Sequence, residues 1–197
     1  GSQADVAMLT FAETDLDFFA GANGVGFGLQ EAAFGFAISV DLLNPTRYWI
    51  SAKANTSQVG FTGLDILTVE ARDMDLVLNT ASADGRSIDF SQRSVELDDG
   101  FEQLGVSGDL SLNLLGVVQV DGFFAFSQSV QSAVLTDGQT TQVDALTFTA
   151  VDAAGFVGVD LGGSSRFGFE ISDLDFGLGI LTDRQNPNRQ WTMMQTD

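Results

Sequence analysis

Asn44-Pro45-Thr46-Arg47-Tyr48-Trp49 returns as Asn186-Pro187-Asn188-Arg189-Gln190-Trp191, 142 positions further along a chain of 197 residues. The two copies hold all the proline and all the tryptophan of the sequence, 2 residues of each, so coincidence is a poor explanation. The match continues backwards without a gap: Phe27, Phe34, Gly35, Ile38 and Asp41 fall on Phe169, Phe176, Gly177, Ile180 and Asp183. A period of this length marks a tandem architecture in which each unit packs on the next. The chain reads as a single all-β fragment of such an array, with a partial unit over residues 1–55 and a full unit over 56–197.

The all-β reading comes from alternation. Phe167, Phe169 and Ile171 are apolar at odd positions; after Ser172-Asp173 the phase flips, and Leu174, Phe176, Leu178 and Ile180 take even positions. The same slip separates Val25, Phe27, Leu29 from Phe34, Phe36, Ile38, Val40, and separates Leu67, Val69, Ala71 from Met74, Leu76, Leu78 across Arg72-Asp73. It recurs across Thr14-Asp15 between Leu9, Phe11 and Leu16, Phe18, Ala20, and between Leu146, Phe148, Ala150 and Ala153, Gly155, Val157, Val159. Period two is the mark of a strand with one apolar face, and an unrelieved flip would turn half of that face outward. Either a β-bulge absorbs the extra residue and the strand continues, or the chain turns a corner into a second sheet. The first predicts long bulged antiparallel strands in an elongated, curved repeat sheet; the second predicts a β-solenoid.

Twenty-two glycines scattered through apolar segments oppose helix. Ser91–Asp99 fits a short helix or a strand equally. Turns are expected at Gly21–Gly24, Asp84-Gly85, Asp98–Gly100, Asp121-Gly122, Asp137-Gly138 and Gly162-Gly163.

Composition removes several classes of function. Eight Lys and Arg face 27 Asp and Glu, a net charge of -19, which disfavours nucleic acid and anionic membranes as partners. With no Cys and no His, disulfides, zinc fingers and thiol nucleophiles are excluded. No run approaches the ~18 apolar residues of a spanning helix. Only one Tyr and two Trp are present, too few for the aromatic girdles of a membrane barrel.

The order of the segments carries a resemblance. Gly108-Asp109-Leu110-Ser111-Leu112-Asn113-Leu114, then Val118-Gln119-Val120-Asp121-Gly122-Phe123-Phe124-Ala125-Phe126, then Phe156-Val157-Gly158-Val159, then the blocks from Val25 or Phe167, Tyr48–Ala54 and Val59–Asn79 resemble the tandem β-repeats of giant bacterial surface and exported proteins, some with a LEPR-XLL-type motif. The resemblance covers nearly all of the chain. It implies export, a repetitive β architecture, an extracellular or cell-surface location and neighbouring repeats of the same chain as partners; it implies no catalytic residues.

Candidate sites are few. Asp15/Asp17 and Asp173/Asp175 sit at strand slips on the polar face, where a solvated surface is the simpler reading than acid–base catalysis. Asp98, Asp99, Asp137 and Asp160 lie beside glycines and offer oxygens of the kind calcium takes, although ordinary turn chemistry explains the same residues and EF-hand spacing is absent. No other cofactor is expected. Gly21–Gly28 lacks the Gly-Lys-Ser/Thr of a phosphate loop. Pro45, Arg47, Trp49 and Pro187, Arg189, Trp191 have two readings: a seam between units, or a tryptophan and arginine that hold a ligand such as a glycan. The expected function is a non-catalytic spacer segment, with a glycan- or lipid-binding adhesin module, using a Phe-lined face or the Trp/Arg seam, as the alternative.

Overall fold

A computed structural model describes residues 5–64, 66–88, 103–160 and 166–196. These form nine strands: β1 (Val6–Ala22), β2 (Val25–Asp41), β3 (Tyr48–Thr62), β4 (Leu67–Asn79), β5 (Gln103–Leu114), β6 (Val118–Val134), β7 (Thr140–Asp160), β8 (Arg166–Asp183) and β9 (Gln190–Thr196). They make one antiparallel sheet in sequence order, β1 to β9. It is an open meander, so the expected class of long bulged antiparallel strands is the one observed, and the solenoid and corner alternatives fall away.

Bulges keep the apolar residues on one side. Asp15, Glu31, Asp73, Asp152 and Asp173 all have φ between 48 and 57, a left-handed conformation that Asp tolerates better than most side chains. They stand at the phase slips of β1, β2, β4, β7 and β8, and register shifts bracket them at Glu13/Leu16, Leu16/Phe18, Arg72/Asp75, Ala150/Ala153 and Ala153/Gly155. In β6 the corresponding place is Gly122, at φ 144, where a Cβ would stand 2.7 Å from the Ala153 backbone. Asp121-Gly122 is therefore not the turn its composition suggests. It lies inside β6. The hairpins form instead at Asn23-Gly24, Leu115-Gly116 and Asp137-Gly138, with positive φ at Asn23, Gly24, Leu115, Gly116 and Gly138. Asp84-Gly85 turns within the β4–β5 connection, and the segments Ser91–Asp99 and Gly162-Gly163 lie outside the described residues.

The registers make the repeat a geometric fact. Every β8–β9 pair, from Phe176↔Thr196 to Thr182↔Gln190, is a β2–β3 pair displaced by the sequence period, from Phe34↔Ala54 to Val40↔Tyr48. The β7–β8 ladder likewise reproduces β1–β2: Leu9↔Ile38, Leu16↔Ala32 and Gly21↔Gly26 correspond to Leu146↔Ile180, Ala153↔Leu174 and Gly158↔Gly168. One unit is thus six strands, and β7, β8 and β9 re-enact β1, β2 and β3. Residues 55–58 fall inside β3, which runs on unbroken. The glycine pairs share a further detail: Gly21 and Gly26, like Gly158 and Gly168, pack backbone to backbone, with the Phe19 ring against Gly21 and the Phe156 ring against both Gly158 and Gly168.

The sheet is one layer thick. Among the described residues, strands contact only their immediate neighbours. The accessible surface is 12821 Å², against about 9,000 Å² for a compact monomer of this mass. Many of the exposed large apolar side chains lie on one side of the sheet. Directly opposed residues share a face, and one such row runs Phe34, Ala54, Leu76, Val106, Phe126, Phe148, Leu178, Met194. Side chains on this face stay open to solvent, Phe167 at 81% and Phe169 at 86%. The opposite face carries most of the polar strand residues together with Phe19, Trp49, Phe123 and Phe156, and the fully buried residues Ala37, Ser39, Ser51, Asn79 and Ala145 belong to it.

Candidate functional site

The two Asn-Pro motifs build the same turn. Asp41, the last residue of β2, accepts through Oδ1 from the Leu43 and Asn44 amides at 2.9 and 3.2 Å. Asp183, the last of β8, accepts from the Gln185 and Asn186 amides at 2.8 and 3.2 Å. Each chain then closes by Arg47 N–H to Asn44 O, or Arg189 N–H to Asn186 O, both 2.8 Å. The arginine of each motif turns back on the capping carboxylate: Arg47 reaches Asp41 at 3.1 Å and Arg189 reaches Asp183 at 3.3 Å. Proline suits the interior of this turn because its nitrogen has no proton to satisfy. Burial works to raise the Asp183 carboxyl, but the Gln185 and Asn186 amides, the Thr141 hydroxyl and the Arg189 guanidinium together hold it below the usual carboxylate value.

The tryptophans sit in equal register, Trp49 opposite Ser39 and Trp191 opposite Leu181, but differ in cover. Trp49 is 4% exposed. The segment 80–88 leaving β4 lies over it, and its indole N–H donates to Arg86 O at 2.6 Å. The same segment accepts Arg47, whose second nitrogen reaches Asp84 at 2.9 Å. The Ser82 hydroxyl, aided by Arg47 and the Arg86 amide, lowers the Asp84 carboxyl against the opposing effect of burial. Arg47 and Trp49 thus clamp segment 80–88 onto the polar face. Trp191 is half-buried beside the β6–β7 hairpin, where Leu135, Asp137, Leu181, Arg189 and Met193 help line a depression of about 540 Å³. Pro45 and Pro187 occupy the turns, and Pro187 is not among the residues that line the depression.

The second acid of each pair at the slips is a structural acceptor. Asp17 Oδ1 takes the amide of Glu31, the bulge residue of β2, at 3.0 Å. Asp175 Oδ1 takes the amide of Asp152, the bulge residue of β7, at 2.9 Å. A bulge frees an amide from the ladder, and a carboxylate on the neighbouring strand satisfies it. Sequence patterning located Asp17 and Asp175 but assigned them only to solvent; the pairing needs the register, which no local pattern supplies.

Of the calcium candidates, Asp98 and Asp99 lie outside the described residues, and Asp160 closes β7 with a side chain that is likewise undescribed. Asp137 accepts the Gln139 amide at 2.9 Å within its hairpin. Among the described residues no group of three or more acids comes together. Among the described residues no helix is long and apolar enough to cross a membrane. Comparison with protein-family models, with curated proteins and with solved structures yields no match.

Proposed function

We propose that this chain is a non-catalytic, sheet-building segment of a giant bacterial surface or secreted protein, in which six-strand units join edge to edge into one continuous sheet. The observation that supports this is the passage from β6 to β7. There one unit hands over to the next through an ordinary antiparallel ladder of sixteen pairs from Val118↔Val157 to Val134↔Thr140 with a single shift between Asp121 and Phe123, and no linker intervenes. Such an array needs no interface other than backbone hydrogen bonds and grows by about 4.8 Å per strand. The Trp/Arg motif supports the same reading. A glycan platform would present its ring in each repeat, yet the indole of Trp49 is enclosed and its N–H engaged by Arg86 O.

The period itself supplies the test. Thr196 is the equivalent of Ala54, so Asn55–Asp197 joined directly after Thr196 preserves the spacing and adds six strands. The extended chain is expected to scatter as one body longer by about 29 Å across the strands. Trp191 is expected to take on the blue-shifted, quencher-resistant emission of Trp49, because a copy of segment 80–88 now covers it. Two independent bodies, or a Trp191 as open as before, would sink the reading.

A further inference from the structure

A sheet with one apolar face that stays open among the described residues needs an occupant for that face, and size, charge and shape narrow the choice. In β2 the apolar side runs from Val25 to Val40, about 50 Å along the strand, and nine strands span about 40 Å across. One face therefore offers roughly 2,000 Å², and two such faces pressed together would remove about 4,000 Å² from water, well beyond a standard interface and in the range of obligate dimers. Charge is sorted to match. Among the described strand residues no Lys or Arg shares the apolar side, and apart from the bulge positions only Glu13 and Asp144, near its rim, bring an acid to it. A chain of net charge -19 can thus bring two apolar sides together while its carboxylates stay on the outer faces of a sandwich whose sheets are about 10 Å apart.

We infer that the apolar face packs against the same face of a second copy of this chain, as the two halves of a β-sandwich related by a twofold axis. An isologous contact closes on itself, so it is independent of edge-to-edge growth and adds a second layer to it. A bilayer fits less well. The apolar band of a membrane barrel is about 25 Å tall, whereas this one is about 50 Å and, tilted by 45°, still about 35 Å.

The absence of cysteine gives a direct test on the 197-residue chain. Leu76→Cys places a thiol on the apolar face of β4, and Asp109→Cys places one on the polar face of β5; both positions are exposed in the single chain. The expected results are a mass twice that of the chain by light scattering and slow thiol labelling at Leu76→Cys, by about fifteenfold at a total protein concentration one hundred times the dissociation constant, where about 7% of the chains remain monomeric, with fast labelling at Asp109→Cys. Leu76→Glu is expected to shift the mass toward the monomer, and the labelling pair stands whether or not that variant folds. A monomer whose two thiols react alike would overturn the inference. So would oligomers that lengthen with concentration while the thiol at position 76 stays reactive, and so would protection that appears only with phosphatidylcholine vesicles, which would make lipid the occupant.

Discussion

The Asp183 carboxylate shows how much one side chain can organise. It is 2% exposed, ends a strand, caps a turn through two amides, takes the Thr141 hydroxyl at 3.2 Å and pairs with Arg189. Its ionised form is favoured in the folded state, where its titration lies below the unfolded value of about 3.9. That contribution to stability is complete above the unfolded value and disappears as pH falls through the folded one. Asp183→Asn keeps an acceptor for the turn amides but has no charge to lose. The wild-type chain should therefore exceed the variant in urea midpoint at pH 7, and the gap should narrow toward pH 2 as the folded carboxylate takes up its proton. A gap of equal size at both pH values would mean that the ionised carboxylate contributes nothing specific.

Strands report their own irregularities when the side-chain pattern is regular enough. The slips at Asp15, Asp73 and Asp173 are legible because large apolar residues flank them on both sides, and the structure answers each with a left-handed residue. Other features lie below that threshold. Asp121-Gly122 imitates a hairpin signal, yet Val118, Val120, Phe124 and Phe126 hold one phase straight through it, and that continuity was the better guide. The equivalence of β1 and β7 is hidden because the spacing between them is five residues shorter than between β2 and β8. It is also hidden because Ala153 and Gly155 replace Leu16 and Phe18. The hydrogen bonds from bulge amides to Asp17 and Asp175 join residues on different strands and need the fold to be seen. The bulges carry an inverted expectation for substitution. At an ordinary strand position Val outranks Gly; at Asp173, with φ 55, a β-branched side chain is strained and Gly is free of it. Asp173→Val should lose about 2 kcal/mol and Asp173→Gly should stay within about 1 kcal/mol of wild type, read from urea midpoints. The opposite order would show that the strand passes through residue 173 without a bulge.

A single-layer meander is held together as a row, and its stability is distributed as in a row. Each strand rests on two ladders and on side-chain contacts with two neighbours, with none reaching further among the described residues. Such a system behaves as a one-dimensional chain of units coupled to nearest neighbours, so opening begins where coupling is least. β9 is the extreme case: seven residues, one ladder, and Met193 and Met194 exposed at 55% and 70%. β1 is also paired on one side only, but over a ladder from Val6 to Ala22. The strands β6 and β7 share the longest ladder and are flanked on both sides. A face-to-face partner would raise protection across the whole sheet without changing this ranking, because it adds apolar contact to every strand alike. Amide exchange should then be fastest in β9, intermediate in β1 and slowest in β6 and β7, with at least a tenfold step in protection from β9 to β7, about 1.4 kcal/mol in opening free energy. Uniform exchange across the nine strands would instead mark an all-or-none unit, and the edge-to-edge logic of the array would lose its physical basis.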